Sequence, residues 1–177
     1  MNRRLFAWSL IALLGAPGIV GGAESLRIVP LVHDDEVLVS VELNDGYSDT
    51  VRETIASGLR TTFTYDVELR MTVPAWIDRI ISTAVVSNSD QYDNLTRRHS
   101  LSRTIDGRVE SVLVTEDVGA AKRWLTTLSR FPLCRTWKLE AGRDYYVRIR
   151  ARTRPYGSSL LGWASAVAAQ TKFTFIP

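Results

Sequence analysis

From Thr61 to Thr72 apolar and polar side chains alternate: Phe63, Tyr65, Val67, Leu69 and Met71 form one set, Thr64, Asp66, Glu68 and Arg70 the other. A period of two residues puts the two sets on opposite faces of a β-strand. A face of five large apolar side chains must be covered, so the chain has to fold into at least two layers. Pro74 ends the run, as proline cannot donate to a sheet ladder.

The same period recurs. Leu26 to Val32 and Val37 to Leu43 predict a hairpin about His33-Asp34-Asp35-Glu36, with Val37, Val39, Val41 and Leu43 sharing one face. That acidic turn lacks the alternating oxygen ligands and the glycine of a calcium loop. Further strands are predicted at Arg79 to Ser87, Tyr92 to Thr104 and Arg108 to Val114, with Asp106-Gly107 as the hairpin turn between the last two. Two short helices break the pattern. One is capped by Thr50 with Glu53 reaching back, stacks Val51, Ile55 and Leu59, and stops at Gly58. The other opens at Thr115, buries Val118, Ala121, Leu125 and Leu128, and closes at Pro132.

Leu139, Gly142 and Tyr145 have the spacing of a tyrosine corner, in which the phenolic hydroxyl bonds back to upstream backbone at a crossover between sheets. Tyr145, Val147, Ile149 and Ala151 then point inward, opposite a last strand, Thr171 to Ile176, with Phe173 and Phe175 inward. The fold expected is mainly β: an antiparallel β-sandwich of immunoglobulin-like character with two short helices. The alternative is an α+β arrangement, one long curved antiparallel sheet with both helices on a single face. No repeat or Pro/Gly/Ser-rich linker divides residues 24–177, which read as one domain.

Residues 1–23 read as an export signal: Arg3 and Arg4, an apolar run from Leu5 to Leu14, then Gly21-Gly22-Ala23, with cleavage after Ala23. A retained membrane anchor is the other reading of this segment, and Arg3-Arg4-Leu5-Phe6 also fits the core of a twin-arginine signal. Of 22 basic residues two lie here, but none of the 19 acidic ones, so the remaining chain carries +1 rather than +3. That removes most of the charge argument for nucleic acid, and none is expected as a partner.

Two His and one Cys exclude an intrachain disulfide, a Cys-rich zinc site and a cluster of histidine ligands. Phosphate loops, a nucleophile elbow and a His-Glu-x-x-His helix are missing. Cys134 reads as a small buried apolar residue, and His33 and His99 as exposed, without a carboxylate to orient them. Asp66 and Glu68 recur as a solvent-facing pair, not as a catalytic one. No enzyme activity, metal or cofactor is expected.

What remains is a ladder. Arg148, Arg150, Arg152 and Arg154 fall on one strand face, each about 7 Å from the next. Either they form a solvated face paired with Asp66, Glu68 or Glu110, or they bind an anionic partner. Beyond them, Leu160 to Ala168 joins the last two strands and is too apolar for an ordinary hairpin tip. It reads as a short packed helix or as a membrane or partner tip led by Leu160, Leu161 and Trp163.

Several stretches together resemble a bacterial family of exported proteins catalogued as domain of unknown function 4390: the opening hairpin; Ile55 to Phe63 leading into a long strand; Trp76 before the next strand; Tyr92-Asp93-Asn94-Leu95-Thr96-Arg97 before a long hairpin; and a helix with Trp124 and Leu125. The resemblance spans about residues 26–154, and Pro155 to Pro177 departs from it. It implies an exported protein with a link to envelope signalling and transfers no catalytic or binding residue. The expected function is therefore a non-catalytic interaction module of the cell envelope, meeting an envelope protein or an anionic membrane surface. The alternative is a carrier holding a lipid or other apolar ligand between its sheets.

Overall fold

A computed structural model describes residues 25–155 and 166–176. The export segment and the tip residues Leu160, Leu161 and Trp163 lie outside them. The alternating runs become β1 (Leu26–His33), β2 (Glu36–Leu43), β3 (Thr61–Met71), β4 (Arg79–Asp93), β5 (Arg98–Ile105), β6 (Arg108–Thr115), β7 (Thr127–Arg135), β8 (Asp144–Pro155) and β9 (Ala166–Thr174). The helices are α1 (Asp49–Ala56) and α2 (Val118–Thr126).

Two antiparallel sheets result: three strands in the order β1-β2-β7, and six in the order β6-β5-β4-β3-β8-β9. This is the expected sandwich. The inward residues of β3, from Phe63 to Met71, are buried, as are Val37, Val39, Val41 and Leu43 of β2 and Tyr145, Val147, Ile149 and Ala151 of β8. Each large apolar side chain so buried contributes about 1.5–3 kcal/mol relative to exposure. These residues form one continuous core with Leu125 and Leu128.

The turns follow their chemistry. Asp34 and Asp35 both take positive φ (50° and 59°), as do Asp106 and Gly107 (48° and 79°); this is what a two-residue turn matching the strand twist requires. At the predicted corner Gly142 has φ 71°, and the Tyr145 hydroxyl accepts a 2.7 Å hydrogen bond from the Glu140 N–H. Tyr145→Phe orphans that N–H without changing the ring packing. It is expected to cost about 1 kcal/mol in urea unfolding with no change in far-ultraviolet circular dichroism.

Four expectations are corrected. The helix cap is Ser48, not Thr50: its side chain accepts from the Val51 N–H, and Leu59, beyond the positive-φ Gly58, is exposed. The second helix starts at Val118 with Asp117 as its cap, Thr115 belongs to β6, and Val118 is exposed. The strand placed at Arg79 to Ser87 continues to Asp93, so the reversal falls at residues 94–97 and not at Asn88 to Gln91. There Asp93 accepts from the Leu95 N–H and the Thr96 hydroxyl, both at 2.8 Å; these bonds favour its carboxylate and hold its pKa low. Finally, Leu128 and Pro132 lie on β7. Proline is tolerated because β7 is an edge strand.

The small sheet leaves part of the large one uncovered, and α2 fills the gap, touching β2 through β7. It is held by polar groups on the inner face: the Tyr65 hydroxyl donates to the Leu125 carbonyl at 2.6 Å, and Asn88 Nδ2 to that of Trp124 at 2.8 Å. Burial of Tyr65 pushes its phenol pKa strongly upward.

Candidate functional site

Alternation along β8 sends Arg148, Arg150, Arg152 and Arg154 to the outer face of the large sheet, all exposed. The antiparallel register sets them opposite Glu68, Asp66, Thr64 and Thr62 of β3. Arg152 Nη2 lies 2.7 Å from Asp66 Oδ2, a diagonal pairing, while Glu68 is taken by Arg70 at 2.9 Å. Glu110 is on β6, at the far edge of the sheet, so it is no neighbour of the ladder. Among the described residues, Arg148, Arg150 and Arg154 have no ion-pair partner. On the other side Arg148, Arg150 and Arg152 face Gln170, Ala168 and Ala166 of β9, none of which carries charge.

A second exposed feature was not legible in the sequence. β3 ends where β4, β8 and the last residues of the chain begin or finish, and at this end Trp76, Ile77, Trp137 and Ile176 are 78–79% exposed. The loops carrying them are tied together: Arg79 Nη1 lies 3.5 Å from Glu140 Oε1, and Gly142 N–H donates to the Phe175 carbonyl. Lys138 lies 5.6 Å from the Trp137 ring centroid. Apolar residues scattered over three loops have no periodicity, and only the fold gathers them.

The third feature corrects the reading of His99. It alternates with Leu101 on the inner face of β5 and is buried, as is Asp90 on β4. Asp90 Oδ2 and His99 Nδ1 are 2.9 Å apart, with side chains 0% and 4% exposed. So a carboxylate orienter exists. Burial pushes the Asp90 carboxyl pKa up, and the bond to His99 only partly offsets this. Among the described residues Asp90 Oδ1 has no hydrogen-bond partner. Tyr92 packs on His99 with ring centroids 4.7 Å apart.

His99 lines an open cleft of about 510 Å³ walled by Tyr47, Ile55, Tyr92 and Val118. Arg52, Arg97 and Glu116 stand around it; Arg52 pairs with Asp49 at 3.0 Å and Glu116 with Arg98 at 3.0 Å. The Tyr47 phenol pKa is raised by burial and by the nearby Asp90 charge, with Arg52 opposing. Cys134 is half-buried on β7 and its thiol pKa is pushed up by desolvation; a thiol held protonated is a poor nucleophile. Among the described residues no three His, Cys, Asp or Glu side chains are grouped to hold a metal ion.

A family model described as Domain of unknown function (DUF4390) matches residues 22–157. The chain belongs to this family. The matched span of the DUF4390 chain includes the whole arginine ladder, Asp90 and His99, and both Trp76 and Trp137, and it ends before β9. No curated protein and no solved structure matches the chain.

Proposed function

We propose that this DUF4390 protein is an exported, non-catalytic interaction module of the cell envelope that docks on an anionic surface through the outer face of β8. The observation that carries the reading is the ladder: Arg148, Arg150 and Arg154 stand exposed with no acid partner among the described residues. Exposed ion pairs contribute little to stability, so three unpaired guanidinium groups on one strand face are better accounted for by a ligand than by the fold. Arginine's planar fork suits phosphate and carboxylate oxygens.

The exposed Trp76 and Trp137 favour lipid as that surface, since tryptophan rings settle at the headgroup level of a bilayer. No helix among the described residues is long and apolar enough to cross a membrane, and docking of this kind needs none.

The test is a variant carrying Arg148→Gln, Arg150→Gln, Arg152→Gln and Arg154→Gln. Each basic group at an anionic bilayer is worth about 1 kcal/mol, so co-sedimentation with phosphatidylglycerol vesicles is expected to weaken by at least about tenfold. Thermal stability should change little, because the one ion pair lost, Arg152 with Asp66, is partly exposed and such pairs contribute about 0–1 kcal/mol. Equal vesicle binding by variant and wild type rejects the ladder as the docking surface.

A further inference from the structure

Two pairs of polar side chains on the inner face differ in kind, and beside the second the buried Thr61 hydroxyl, opposite Asp90, is likewise unpartnered among the described residues. Asn88 and Arg103 build the scaffold: Arg103 Nε donates to Asn88 Oδ1 at 2.8 Å, its guanidinium lies 4.6 Å from the Trp124 ring, and Asn88 anchors α2. Asp90 and His99 join nothing else together. Their one hydrogen bond is to each other, Asp90 Oδ1 is buried without a partner, and His99 Nε2 makes no hydrogen bond among the described residues. A buried pair with unmet polar atoms is less stable than an apolar pair of the same volume, so packing does not explain it. Its position does, because His99 forms part of the cleft wall.

We propose that the cleft between α1 and the start of α2 binds a small amphipathic carboxylic acid, with its carboxylate accepting a hydrogen bond from His99 Nε2–H and its apolar body lying against Tyr47, Ile55, Tyr92 and Val118. Asp90 at Nδ1 fixes the ring orientation. At the mouth Arg97 has no acid partner among the described residues, whereas the Arg52 and Glu116 charges are already matched; the entering carboxylate therefore meets a net positive rim. The volume suits a ligand of this size. Among the described residues no Ser, Thr or Cys lines the cleft. The site lies on the inner face of the large sheet, away from the ladder on its outer face, and does not depend on the docking reading.

The probes are octanoate and its neutral counterpart octanol, followed by displacement of anilinonaphthalene sulfonate fluorescence from the full protein. Octanoate should displace the dye saturably and bind at least about tenfold more tightly than octanol, the worth of one charge-assisted hydrogen bond. His99→Gln should bring the two ligands to equal affinity. Val118→Glu, at an exposed position that leaves folding intact, should abolish displacement by both. The four-arginine variant should bind octanoate as wild type does, which separates this result from the vesicle assay. Absence of saturable displacement, equal affinity of wild type for both probes, or unimpaired binding by Val118→Glu overturns the proposal.

Discussion

Leu125→Ala is expected to lower the unfolding free energy by about 3 kcal/mol. Leu125 is completely buried and belongs to the core that both sheets share. Truncation removes its transfer free energy and leaves a cavity that the neighbours cannot easily close. Tyr65, whose hydroxyl donates to the Leu125 carbonyl, pins the helix backbone on one side, and Asn88 pins the preceding carbonyl. A helix of nine residues cannot persist on propensity alone, so truncating its largest buried apolar side chain loosens the element that covers β4 and β5. The check is urea denaturation with hydrogen exchange of the Ala121 and Leu125 amides. A loss under about 1 kcal/mol would mean the site collapses around the gap, contrary to the packing described.

How much of this was legible in the sequence depended on whether alternation survived along the strand. β3 and β8 keep a strict two-residue period because both are interior strands of the large sheet, paired with each other, with one face buried throughout. The first hairpin, the Asp106-Gly107 turn and the tyrosine corner rest on local turn chemistry, which needs no tertiary information. β7 breaks the rule. Between Leu128 and Phe131 the register against β2 shifts and Arg130 takes φ 50°, a bulge that turns a two-residue period into three. Leu125, Leu128 and Phe131 then carry helical spacing across a helix–strand junction, which is why the sequence pattern extends the helix to Pro132.

The candidate cleft was hidden for a related reason. Asn88 to Gln91 reads as a break between strands, yet Asn88 and Asp90 point inward and are buried. Their partners, the Trp124 carbonyl and the His99 ring, come from 36 and 9 residues away. A polar residue on an inner face is recognised only by the partner that satisfies it, and such a partner has no signature in local composition. Once the reversal is set at residues 94–97, Tyr92 falls opposite His99 and Asp90 opposite Leu101; the same parity then places Asp90 diagonal to His99. The ladder, by contrast, was visible because its only requirement is one strand.

Asp90→Ala is the second large effect expected, a loss of about 2 kcal/mol near neutral pH, because it leaves the buried His99 Nδ1 without its partner. Asp90→Asn separates this steric and hydrogen-bonding loss from the charge. Burial raises the Asp90 carboxyl above its ordinary pKa of 3.8, so between that value and the raised one the folded state holds a proton that the unfolded state has released. Stability therefore falls as pH rises through this window and levels off above it. Asp78 and Asp93, held low by hydrogen bonds from Tyr146 and from the turn backbone, act in the opposite sense: their contribution is present above 3.8 and is lost as pH falls through their lowered pKa values. Subtracting the Asp90→Asn profile from that of wild type cancels those two and leaves the contribution of the Asp90–His99 pair. The difference, measured as unfolding free energy in urea from pH 3 to pH 8, is expected to decline with rising pH and then become flat. A difference that climbs with pH would show the carboxylate to be stabilised inside the fold, with its proton lost more readily than in water, and His99 would then be paired to a fully ionised acid.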